Sequence, residues 1–312
     1  MPETNKDNQG INIADIDIHN EITNPDAFEM RNQTPGVEDG NIVEEKVVEE
    51  IDVDDIAITD KKAPIIMLFG PKSSGKSMTL LRLCRYLRDN GYSIVVDETF
   101  KSDVEYKEKC QKFLKDLNTT VALDGNAYTD FLLVKVSIHG TTVCQFLEAP
   151  GEHYFNPKDV DSSNFPPYMT EIIHTLHNRK IWVFLTEAKW KVSHKDMKAY
   201  VDRIRNCKKE LMHSADRCII MYNKIDQHKQ LFENGEILLQ PAEETMRNEY
   251  EGLDDVFRNS NLITRLWRPY NYKFVPFCTG YYFKENGKLK YKMSGNMYPK
   301  MLWDALCECI KG

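Results

Sequence analysis

The chain has no apolar run near the roughly 18 residues that a membrane-spanning helix needs. Its first residues, Met1-Pro2-Glu3-Thr4-Asn5-Lys6-Asp7, lack the basic and apolar regions of a secretory signal. There is no internal repeat. None of the eight cysteines stands in a C-x-x-C pair, and Cys307-x-Cys309 has no second pair to complete a zinc site. Several cysteines sit in apolar runs, which fits buried reduced thiols in a cytoplasmic protein better than disulfides or zinc. Also missing is any basic stripe interleaved with aromatics, so nothing points to nucleic acid.

What is present is uneven. Residues 1–62 hold 17 Asp and Glu against 5 Lys and Arg, a balance of −12. The whole chain is −7, so residues 63–312 carry +5. Isolated apolar residues in the first 40 positions cannot offset the entropy of ordering, and disorder is expected there. Val43, Val47 and Ile51 recur at helical spacing among glutamates. That segment reads as a solvated acidic linker or, extended through Val53, Ile56 and Ile58, as a strand or a partner-binding element. The body is expected from Ala63 to Gly312, long enough for one large core.

Within the body, the chain turns on Gly70-Pro71-Lys72-Ser73-Ser74-Gly75-Lys76-Ser77, a G-x-x-x-x-G-K-S loop of Walker A type. An apolar run, Ile65-Ile66-Met67-Leu68-Phe69, precedes it. A helical pattern begins at Met78. Glycines here allow backbone N–H groups to gather round a phosphate chain, and the helix start adds positive dipole character. Lys76 is expected to reach the β- and γ-phosphates, and the Ser77 hydroxyl to hold Mg²⁺.

Further along, runs 93–96, 131–138, 143–147, 181–185, 218–222 and 273–277 read as strands. The second and third of these form a hairpin through His139-Gly140. Helical patterns lie at about 101–117, 167–179, 194–213, 242–258 and 299–310, and a small added hairpin at about 281–291. Alternation of this kind predicts an α/β, three-layer P-loop fold, its sheet mostly parallel with one antiparallel hairpin strand.

Three more stretches end strands, where open α/β sheets place ligands. Glu148-Ala149-Pro150-Gly151 offers an acid that can hold Mg²⁺ through water and a glycine N–H for a γ-phosphate. Asn223-Lys224-Ile225-Asp226 offers a carboxylate that can accept both donors of a guanine edge. In the same stretch the Lys224 stem can lie over the purine, and Asn223 can tie this loop to the phosphate loop. Last, Cys278-Thr279-Gly280 can present N–H to the guanine oxygen.

Taken in order, these four stretches resemble the motifs of the Ras-like, translation-factor-related GTPase superfamily, with Glu148 where the family has Asp. The resemblance covers residues 63–312. It implies GTP or GDP with Mg²⁺ as cofactors, held by Gly70 to Met78, Gly151, Asn223, Lys224, Asp226, Thr279 and Gly280. It implies a switch threonine on Mg²⁺ beside Ser77 and Glu148. Thr129 fits that role at the spacing of small members, and Thr119 or Thr120 fits a longer loop. Glu152 follows Gly151 where members often carry a water-orienting Gln or His, and His153 is next. Lys72 stands where small members keep glycine, and could bring a cation toward the transferring phosphate. With Lys76, these three residues are the expected catalytic set. A switch that hydrolyses GTP slowly, faster with a protein effector or activator, is the leading expectation. A GTP-binding module with little turnover and an ATP-using P-loop enzyme are the alternatives.

Overall fold

The computed structural model describes residues 56–118, 131–155, 165–285 and 288–312. The disorder expected before residue 56, and the switch threonines Thr119, Thr120 and Thr129, lie outside the described residues.

Five apolar residues make β1 (Ile65–Phe69), and all are buried. Such a run suits a strand covered on both faces. The phosphate loop follows, then α1 (Lys76–Asp89). Next come β2 (Ser93–Val96), α2 (Val104–Leu117) and the hairpin β3 (Leu132–Ile138) and β4 (Thr141–Glu148). Positive φ at His139 (50°) and Gly140 (78°) gives the two-residue turn that matches strand twist. After it stand α3 (Gly151–Tyr154), α4 (Pro167–Thr175), β5 (Lys180–Glu187), α5 (His194–Glu210) and β6 (Arg217–Asn223).

The rest of the chain departs from the sequence reading in three places. A two-stranded ribbon, β7 (Phe232–Glu233) and β8 (Glu236–Ile237), turns through Asn234-Gly235, both at positive φ. The helix expected at 242–258 is two, α6 (Leu239–Glu249) and α7 (Leu253–Val256). Gly252, at φ 82°, breaks it with a left-handed residue that no helix continues through. A short α8 (Leu262–Trp267) precedes β9 (Lys273–Pro276), where no helix was expected. The added hairpin is β10 (Gly280–Glu285) with β11 (Lys288–Met293), and α9 (Met297–Lys311) closes the chain.

The main sheet runs β2-β3-β4-β1-β5-β6-β9. Its pairs are parallel from β4 through β9, and β3 is antiparallel to both β2 and β4. An α/β domain with a mostly parallel sheet and one reversed strand is therefore what the chain forms. Pro276 sits on the edge strand β9, where its missing N–H costs no ladder bond on the outer side. No disulfide joins the eight cysteines.

The expected start of the body at residue 63 needs correction. Ile58 is 6% exposed and belongs to the core. Ala57 N–H donates to the Phe100 carbonyl at 3.0 Å. The Asp60 carbonyl accepts from the Gln145 and Asn178 amides at 2.8 and 2.9 Å. Residues 56–62 thus pack as part of the body, and with Asp60 against Lys61 and Lys62 they do not share the acidic balance of the residues before them.

Candidate nucleotide site

The C-terminal ends of β1, β4 and β6 bring three of the four stretches together. Ser73 (φ 63°) and Gly75 (φ 91°) are left-handed, with Ser74 between them at negative φ. Alternation of that sense turns successive N–H groups to one side, making an anion nest. No side chain caps α1, and no acidic residue sits in its first turn. Its opening N–H groups therefore point toward the loop with nothing but the helix dipole behind them.

Lys76 is buried at that point. Its Nζ donates to the Gly70 and Pro71 carbonyls, both at 3.0 Å, which folds the ammonium across the loop. The same nitrogen lies 5.9 Å from the centre of the Tyr154 ring. Gly151 comes against the loop from the other side. A Cβ on it would lie 2.4 Å from the Lys72 amide nitrogen and 2.6 Å from the Pro71 carbonyl carbon. Only a glycine allows this approach.

Ser77 Oγ donates to Glu148 Oε1. Glu148 is 1% exposed, and its Oε2 makes no hydrogen bond among the described residues. Burial pushes its pKa up to about 7, against the opposing pull of the Ser77 hydroxyl and the Lys76 charge. A buried carboxyl with one unmet oxygen, beside a hydroxyl, is a hard-oxygen donor pair. Magnesium takes such donors and completes its shell with water and phosphate. The residues present therefore fit Mg²⁺, with Ser77 and Glu148 as the side chains that could hold it. Among the described residues no cluster of three or more His, Cys, Asp or Glu offers a metal site of another kind.

The β6 loop is tied to this centre. Asn223 Nδ2 donates to the Ser74 carbonyl at 2.9 Å, and Gly75 has no room for a Cβ because that amide would lie 2.5 Å from it. Lys224 is left-handed (φ 57°) and its Nζ pairs with Glu187 Oε1 at 2.6 Å. Asp226 is half-buried in a single 3₁₀ turn. That turn is fastened to the next strand's loop, since Ile225 N–H donates to the Phe277 carbonyl at 3.2 Å.

The fourth stretch begins beside this turn, just after Phe277, and runs into the added hairpin. Gly280 opens β10 and pairs with Met293, so it lies in a hairpin strand where a short loop was expected. The Thr279 carbonyl accepts from the Tyr291 hydroxyl at 2.6 Å. Ser294 also donates to it, at 3.2 Å through the hydroxyl.

The expected catalytic residues divide. Lys72 is exposed at the tip of the loop, and its backbone is what meets Gly151. The Glu152 side chain lies outside what the structure describes; its backbone is in α3. His153 is buried, with Nδ1 2.9 Å from the Tyr168 hydroxyl and its ring 5.6 Å from Phe131. It is part of an aromatic cluster that joins α3 to α4.

Sequence reasoning missed Glu187 and Tyr154. Glu187 ends β5 at the same sheet edge as the other loops, and that position was its signal. Tyr154 is fully buried, and its hydroxyl has no hydrogen bond among the described residues. Nothing in its spacing distinguished it from a core aromatic.

No family model matches the chain. Nor does any curated protein. Among solved structures, one similar chain is Roco2 RocCORdC of Methanosarcina barkeri bound to GDP. It is 12% identical with a TM-score of 0.30, over 70% of this chain and 43% of that one. Another is the signal recognition particle receptor SRb-GTP/SRX complex from Chaetomium thermophilum. There identity is 9% and the TM-score 0.34, over 70% of this chain and 91% of that one. Neither likeness carries any part of the functional reading, which rests on the loops themselves.

Proposed function

We propose that this chain binds a guanine nucleoside triphosphate with Mg²⁺ and hydrolyses it slowly, as a switch read by a protein partner. The observation that carries the proposal is the convergence at one sheet edge. The nest at Ser73 to Gly75, the uncapped start of α1 and the buried Ser77–Glu148 pair meet there. Lys76 would exchange its two loop carbonyls for phosphate oxygens. Gly151, held against the loop, would offer its N–H to the terminal phosphate. Ser77 and Glu148 would hold Mg²⁺, which supplies positive charge against the phosphate oxygens when bound. Asp226 would accept the guanine donors, on a loop that Asn223 holds at the phosphate loop.

The second reading, binding with little turnover, draws support from His153. Its ring is buried, with Nδ1 against the Tyr168 hydroxyl, which favours a packing role over the orienting of a water. Calorimetry with GTP, ATP and xanthosine triphosphate on wild type and Asp226→Asn tests the base. Wild type should favour GTP. The variant should lose about 1–3 kcal/mol of that preference, by analogy with other paired contacts to a base edge, and gain xanthosine binding. Equal affinity of wild type for ATP and GTP would return the site to the ATP-using class.

A further inference from the structure

We propose that the segment Ser260–Pro269, which carries α8, is a membrane-surface finger that inserts shallowly into a lipid bilayer with anionic headgroups. All ten residues of the segment are exposed. Leu262, Ile263, Leu266 and Trp267 expose 74, 74, 83 and 87% of their surface. At 100° per residue they cover one arc of α8, with Thr264 and Arg265 on the opposite side and Arg268 just past the helix end. Water-facing clusters of four large apolar side chains are uncommon and mark contact sites.

The finger is built to hold this shape. Asn261 caps α8, accepting from the Ile263 and Thr264 N–H groups at 2.9 and 3.2 Å. Its base is closed by Asn259 N–H to the Pro269 carbonyl at 2.9 Å and Asn271 N–H to the Phe257 carbonyl at 2.7 Å. A bridge between Arg258 and Tyr270 lies between them.

Charge selects the occupant. No Asp or Glu occurs between Asp255 and Glu285, whereas Arg258, Arg265, Arg268, Lys273 and Lys284 do. Arg258 is paired with Asp255 at 2.7 Å and Lys273 with Glu308, which leaves Arg265 and Arg268 as the finger's own charges. An apolar arc bearing tryptophan, with arginines whose long stems reach headgroup phosphates, matches an anionic interface. No helix among the described residues is long and apolar enough to cross a bilayer, so the contact is at the surface. One short helix gives weak, reversible binding.

The test uses the full chain and vesicles of phosphatidylcholine, alone or with phosphatidylserine. Wild type should sediment with the anionic vesicles, and Leu266→Asp should reduce the bound fraction roughly tenfold. Arg265→Glu with Arg268→Glu should abolish the preference for phosphatidylserine. Brominated acyl chains should quench Trp267, and Trp267→Ser should lose that quenching. These positions are exposed, so melting temperatures should stay at the wild-type value. Wild type left in the supernatant, or sedimenting equally with the variants, overturns the proposal. So does a dimer in sedimentation velocity that Leu266→Asp dissolves without any vesicle binding; that result gives the face to a second copy of this chain.

Discussion

Burial sets the chemistry of the Glu148 carboxyl, the group proposed to hold Mg²⁺. Its pKa rises from 4.5 to about 7 because burial disfavours the ionised form. A raised carboxyl favours the folded state while protonated. The stabilisation is therefore present below 4.5 and is lost as pH climbs through about 7. Wild type should melt lower across that window, and Glu148→Gln should flatten this share of the slope. Under the proposed function Mg²⁺ would reverse the preference, since a bound cation favours the ionised form. The rise in melting temperature on adding Mg²⁺ and GTP should therefore grow from pH 5 to pH 8 in wild type, and not in the variant, on the basis of this linkage. Gly151 makes a second residue-scale case. Its missing Cβ leaves space for the Lys72 backbone, and backbone cannot step aside as a side-chain end can. Gly151→Ala should cost about 1–3 kcal/mol of stability by overpacking and weaken triphosphate binding. Chemical denaturation and calorimetry on one sample read both.

At the scale of elements, α3 decides how turnover is to be tested. Its His153 joins Tyr168 on α4 and packs on Phe131, which leads into β3. A buried histidine held this way contributes to packing first. His153→Ala should destabilise by about 1–3 kcal/mol, the range for losing a buried, hydrogen-bonded side chain. Its single-turnover GTP hydrolysis, corrected for folded protein, should match wild type. A rate that falls well below wild type in folded variant protein would place His153 in water orientation after all. Elements also show how legible the chain was. Strands β1 and β5 were readable because each is a continuous apolar run buried between layers. The Asn234-Gly235 ribbon had a strong local turn signal but only two residues per strand, too few for period-2 alternation to register. Helix α8 stayed hidden for a different reason. Its apolar residues face solvent, whereas pattern reading expects them to face a core.

Across the whole molecule, the start of the folded body is the point that the sequence reading misplaced. Ile58 is core, and Asp60 fastens the segment to β4 through Gln145 and to the start of β5 through Asn178. Fully burying an isoleucine contributes about 1.5–3 kcal/mol. A chain beginning at Ile56 should keep the melting temperature of the full chain. One beginning at Ala63 should melt lower, by about 2–4 °C for each kcal/mol lost in a domain of this size. Differential scanning calorimetry on the two truncations settles it, and equal melting temperatures would mean that residues 56–62 contribute no stability.

The sequence by itself determined what is local. The glycine loop, its strand and its helix are contiguous, and their local structure follows from residue type and spacing. So do the hairpin turn at His139-Gly140 and the alternation that makes the sheet mostly parallel. Which distant groups meet depends on how the whole chain packs. Asn223 reaches Ser74 across 149 positions, and Ser77 reaches Glu148 across 71. Thr279 was drawn to the β10–β11 hairpin, and His153 into an aromatic cluster. The physical reason is that period and propensity act over a few residues, whereas these contacts depend on strand order and on how helices pack against the sheet. Burial belongs to the same class. The carboxyl of Glu148 is unremarkable in the sequence, and it acquires its raised pKa only because the assembled sheet edge removes water from around it.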